Sequence, residues 1–303
     1  MSVREPATPR PSPTSVPGAV EPAQPPSPRG AFGRTGGVPP WPPWMAPAAL
    51  FGGLVLATVG GLLVDIPALA LGVNVNASHL PPGLTIADTA VQDAGFIAVA
   101  VFFAQLGGRK IDAAMFGLRP TRLRRSVALL VALLVAFFLF NVIWAEAFNT
   151  SKEKLLEQLG ANETTTLLVL SAALTCVIAP IAEEFLFRGF IFTSLRNWRG
   201  DWLAALITGL LFGAVHAGSA PAIDLVPLAA LGFGLCLLYR VTGSLYPCIA
   251  AHCVNNSIAF ASLEEWGVSQ AAVLLVSALA TLTLLGLLLT RLGVASRERV
   301  DAT

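Results

Sequence analysis

About eight apolar stretches follow one another between Ala46 and Thr290, each near the ~20 residues that carry a helix across a bilayer. Their spans read as 46–71, 89–106, 127–147, 167–194, 202–217, 222–239, 244–263 and 270–290. The runs are continuously apolar rather than alternating, so helices are expected and a barrel is not. Composition agrees: 12% of residues are charged and mean hydropathy is +0.71, whereas a soluble domain carries roughly a quarter charged residues. The expected fold is an all-α, polytopic transmembrane bundle. A net charge of +1 leaves no basic face for nucleic acid, so no nucleic-acid partner is expected, and the apolar runs make membrane lipids the expected surroundings. The sequence is silent on oligomeric state.

Residues 1–45 hold 13 of the 22 prolines and read as a disordered, Pro-rich tail, followed by a membrane domain over 46–293 and a short tail over 294–303. The excess of Arg over Lys hints at a bacterial gene. Sixteen of the 19 basic residues fall in the two tails and in alternate connections; only Lys152 and Lys154 fall in the others, and Arg188 lies inside a span. This bias predicts both termini in the cytoplasm of a bacterial cell membrane. The cysteines Cys176, Cys236, Cys248 and Cys253 show no CxxC spacing and read as small buried hydrophobes.

Ionisable groups inside a span are expensive and usually paired or functional, which singles out a few positions. Glu183, Glu184 and Arg188 interrupt an apolar helix of nearly thirty residues. Glu184 and Arg188 are i,i+4 neighbours with the acid first, the favourable order for a pair, while Glu183 points about 100° away. His216 ends the fifth span, and His252 precedes Asn256 by one turn in the seventh. Glu183 and His216 are nearly equidistant from the polar turn Arg196 to Asp201, which places both roughly 18 Å deep at ~1.5 Å per residue. His252 and Asn256 lie about 12 and 18 Å deep by the same rise, so all four groups reach one layer. A carboxylate beside two imidazoles suits general-base activation of water, with His and Asn available to an oxyanion. Glu183, His216 and His252 could instead ligate zinc, and a structural ion cluster is the bland alternative.

The motifs Glu183-Glu184-FLF-Arg188, Phe212-GAV-His216 and His252-CVN-Asn256 resemble the CPBP family, which comprises the CAAX-type prenyl-protein endopeptidases and their bacterial, bacteriocin-associated (Abi) relatives. The resemblance covers about residues 165–260. It implies an intramembrane endopeptidase whose partner is a protein or peptide substrate and which needs no metal, in which Glu183 activates water and His216 assists it. By the same match His252 and Asn256 stabilise the oxyanion, and Glu184 with Arg188 form a supporting pair. Asn255 lies on nearly the same face as Asn256. A non-catalytic immunity or scaffolding protein that keeps the pocket for partner binding is the second reading, and a transporter would need an inverted repeat that is not visible. Motifs of other intramembrane proteases are missing: there is no HExxH, no GxSG-like serine, and Leu235 follows Gly232-Phe-Gly234. Asp65 and Asp93 read as lying near span ends, Asp224 as opening a helix, His79 as part of an external loop, and Glu264 with Glu265 as solvated.

Overall fold

The computed structural model describes residues 39, 41–75, 80–106, 108, 110–148 and 164–295. His79, Lys152, Lys154, nearly all of the tail over 1–45 and the end of the tail over 294–303 lie outside the described residues. The described chain is helical, with no strand beyond an isolated bridge between Ala217 and Ala220.

Helix α1 covers Met45–Ala70, α2 Pro82–Gln105 and α3 Leu123–Phe148. A 51-residue run, Thr165–Val215, follows and is broken at Gly200, whose φ of 80° is a left-handed conformation that glycine adopts without strain. Its halves are α4 (165–199) and α5 (201–215). Helices α6 (Leu225–Thr242), α7 (Leu245–Leu263) and α8 (Val268–Arg291) complete the bundle. By length and apolarity six of these runs qualify as membrane spans among the described residues, the broken run counting once and α7 not at all. The protein is an integral membrane protein.

The difference from eight spans has a physical reason. Lipid contact makes a helix apolar, whereas a helix that lines a polar cavity does not need to be. His252, Asn255 and Asn256 lower the hydropathy of α7. The second span, expected from residue 89, in fact begins at Pro82, where Pro81 and Pro82 set the helix start. Asp93 is therefore mid-helix and buried, which corrects its placement near a span end.

The core surrounds the middle of α4, where Leu186, Phe187, Phe190, Ile191 and Phe192 are all inaccessible to solvent. The tail's last residues join this core: Trp41 is buried with its ring 5.1 Å from Phe116 and 4.8 Å from Phe190, and Asn197 Nδ2 donates to the carbonyls of Pro39 and Trp41. Near the break at Gly200, Asp201 accepts from Arg196 and Arg240 at 2.8 and 2.7 Å, with Trp198 and Trp202 exposed beside Arg199 and Arg240. Exposed tryptophans beside cations belong at headgroup level.

Helices α5 and α6 approach closely at glycines. A Cβ on Gly209 would lie 2.7 Å from Phe233 N and 2.8 Å from Ala229 O, and one on Gly213 would lie 2.5 Å from Leu225 O. Small residues spaced four apart permit this backbone contact, which in lipid replaces the hydrophobic drive for association. Gly209→Val is expected to force the pair apart at a cost of about 1–3 kcal/mol, read as a lowered thermal midpoint of the detergent-solubilised protein. An unchanged midpoint would contradict the tight packing.

Candidate active site

Glu183 and His216 lie seventeen residues before and sixteen residues after Gly200, and both line one cavity of about 390 Å³. That requires α4 and α5 to fold back on each other, as the equal-depth argument expected. The same cavity is lined by His252, Asn255 and Asn256 of α7, and by Asp93 of α2.

The two glutamates divide as their helical phase predicts. Glu184 is fully buried, and its Oε1 accepts from Arg188 Nη1 at 2.8 Å and from His252 Nδ1 at 2.9 Å. Arg188 is also fully buried: its Nη2 donates to Gly232 O at 3.0 Å and its guanidinium lies 4.5 Å from the centre of the Phe212 ring. Glu183, 14% exposed at its side chain, faces the cavity with Oε2 lacking a hydrogen-bond partner.

These contacts fix both imidazoles. A carboxylate oxygen only accepts, so His252 Nδ1 carries the proton it gives to Glu184, and Nε2 is left 3.9 Å from Glu183 Oε2, too far for a direct hydrogen bond. His216 caps α5 rather than lying within it, and its Nδ1 donates to Phe212 O at 2.8 Å, which leaves Nε2 as an acceptor. The Phe212 ring lies 5.0 Å from His216, 5.6 Å from His252 and under Arg188, so the aromatic of the Phe212-GAV-His216 motif spaces the polar groups.

Asn256 is held through the local geometry of α4. Wide, π-type turns cover Leu174–Ile178 and Phe185–Phe192. At the first, Ala179 N donates to Leu174 O, and Pro180 has no N–H, so Thr175 O loses both of its usual backbone donors. Asn256 Nδ2 fills the vacancy at 2.9 Å, while Asn256 Oδ1 accepts from Asn255 Nδ2 at 3.1 Å. One N–H of Asn256 remains for the cavity. Replacing Asn256 with Leu should leave the half-buried Thr175 O without its donor and lower stability by about 1 kcal/mol in a denaturation experiment, whereas Asn256→Gln should lose less. Equal losses would argue against this bond.

All six residues singled out from the sequence therefore meet at one place: Glu183, His216, His252 and Asn256 on the cavity, and Glu184 with Arg188 behind it. Sequence reading missed Asp93, and gave Thr175 and Phe212 no role. Pro180 was the available signal for Thr175. Among the described residues no group of three or more His, Cys, Asp or Glu side chains is arranged to hold a metal ion.

Residues 165–258, which span α4 to most of α7, match the family model described as Rce1-like, type II CAAX prenyl endopeptidase. The chain is 35% identical over 81 residues to a Bacillus subtilis (strain 168) protein named "Putative membrane peptidase YdiL", covering 27% of this chain and 32% of that one. It is 26% identical over 222 residues to an uncharacterized protein of Mycoplasma capricolum, covering 69% and 65% of the two chains. An uncharacterized 24.3 kDa protein of Escherichia coli is 29% identical over 110 residues, covering 35% of this chain and 50% of its own length. The chain thus spans between about a third and two thirds of the length of these relatives. No solved structure matches it. The matched helices are the ones that carry Glu183, Glu184, Arg188, His216, His252 and Asn256, which gives the site a likeness to a family of membrane peptidases.

Proposed function

We propose that the chain is an intramembrane endopeptidase that cuts a membrane-associated or lipidated protein by glutamate-activated water, without a metal. The observation that carries this reading is the shared cavity: an unpartnered Glu183 oxygen, a His216 Nε2 fixed as acceptor, and a His252 ring aimed by Glu184.

In this reading water sits against Glu183, which takes one of its protons while His216 Nε2 accepts the other in a hydrogen bond. The water oxygen bonds to the scissile carbonyl carbon. Charge then develops on the carbonyl oxygen, to which an Nε2–H of His252 and the remaining N–H of Asn256 donate. The carbon–nitrogen bond breaks and Glu183 returns its proton to the leaving nitrogen. Glu184 and Arg188 touch no reacting atom. Their part is to fix the orientation of the His252 ring through Glu184 Oε1, much as a carboxylate orients a catalytic imidazole elsewhere. The positive bias of alternate connections supports a cytoplasmic location for both termini.

Comparing the membrane proteomes of cells that carry the unsubstituted chain or its Glu183→Ala and His216→Ala variants tests the reading. Both variants, inserted at normal levels, should accumulate the same uncleaved precursor. An unchanged proteome with a weakened partner interaction would favour the immunity or scaffolding alternative. Treatment with 1,10-phenanthroline should leave cleavage unaltered, and zinc bound stoichiometrically with chelator-sensitive cleavage would refute the metal-free mechanism.

A further inference from the structure

Helix α2 carries a polar row along the face it turns to the cavity, where Gln92 also lies. Thr85, Thr89 and Asp93 recur at intervals of four, so they share one face, and all three line the cavity that holds Glu183. Thr89 Oγ1 donates to Thr85 O at 2.8 Å, the usual way a hydroxyl is absorbed by its own helix. Asp93 has no such outlet. It is 1% exposed, and neither carboxyl oxygen has a hydrogen-bond partner. A carboxyl at this depth ordinarily meets a cation or several donors, because neither lipid nor packed protein replaces the water it has lost. The buried cation of the site does not serve it: Arg188 donates to Glu184 and to Gly232 O and lies over the Phe212 ring.

The charge on the cavity wall is one-sided. Among the described residues lining it, Glu183 and Asp93 bear carboxyls, and none is Lys or Arg. The wall is therefore complementary to a group that brings both positive charge and hydrogen-bond donors. We propose that Asp93 receives a basic side chain, Lys or Arg, of the peptide substrate, and thereby sets which peptide bond is presented to Glu183. The proposal rests on the peptidase reading for the cut that follows, and adds to it a substrate class: a membrane-associated peptide with a basic residue close to the scissile bond.

The test uses the full chain in lipid nanodiscs and two fluorescent transmembrane peptides of leucine and alanine, identical except for one central Lys or Gln. With Glu183→Gln present to prevent turnover, the Lys peptide should bind at least about tenfold more tightly, the difference expected of one charge-assisted pair out of water. Adding Asp93→Asn should erase the difference. Should that variant fold poorly, the Asp93-containing protein supplies an independent readout: butylammonium should displace the Lys peptide at lower concentration than butanol does. Absence of a Lys preference, or a preference that survives in a well-folded Asp93→Asn variant, overturns the assignment. A Lys preference without any Glu183-dependent cleavage would leave this subsite standing and remove the peptidase reading. Glu183-dependent cleavage without a Lys preference would do the reverse.

Discussion

Glu183→Gln is expected to lower the rate of peptide cleavage by between about 10² and 10⁴-fold, the usual contribution of a positioned general base. Glutamine keeps the size of the side chain and its ability to bind water, and removes only its capacity to take a proton. Since Glu183 Oε2 has no hydrogen-bond partner to lose, the substitution should leave insertion and thermal stability unchanged. The split between rate and binding is the informative part: turnover should collapse while substrate affinity stays within a few fold, because the interaction removed is one made in the transition state. Equal losses in rate and stability would instead describe Glu183 as part of a structural ion cluster.

Arg188→Ala is expected to damage the fold rather than the chemistry alone. Glu184 and Arg188 are both fully buried, and each uses the other: deleting the guanidinium strands a carboxylate, frees Gly232 O and removes the cation over Phe212. Breaking a buried pair from one side costs about 3–5 kcal/mol, a large share of the stability of any bundle. The expected result is a sharply lower thermal midpoint or loss of the detergent-soluble protein. Glu184→Gln combined with Arg188→Met removes both charges together and should recover much of that stability while still lacking activity, because His252 then loses its orienting carboxylate. If the double substitution were no more stable than Arg188→Ala, the stranded carboxylate would not be the cause.

How much of this could be read in advance depended on which solvent each residue faces. Glu184 and Arg188 stood out because charge in an apolar run has few explanations, and helical periodicity alone paired them. The common depth of Glu183 and His216 followed from counting residues outward from the turn near Gly200. Other features were hidden for identifiable reasons. The polar cavity-facing row on α2 delayed the apparent start of that span to residue 89, which made the deeply buried Asp93 look peripheral. Trp41 sits among prolines whose composition signals disorder, yet its ring packs between Phe116 and Phe190. The grip of Asn256 on Thr175 O depends on a wide turn that hydropathy does not register, although Pro180 marks the place where a carbonyl must go unserved. In each case the residues that build the cavity are the ones that weaken the signature of a lipid-facing helix.

The proposed reaction places one oxygen of the water held by Glu183 in the newly formed carboxyl. Its most direct measurement is mass spectrometry of a precursor, identified from the proteome comparison, after incubation with the reconstituted chain in ¹⁸O-labelled water. Two fragments are predicted, the new C-terminal carboxyl carrying one ¹⁸O, formed by the unsubstituted chain and not by the Glu183→Gln variant. Precursor recovered intact and unlabelled from both proteins, or labelled fragments formed equally by both, would contradict it.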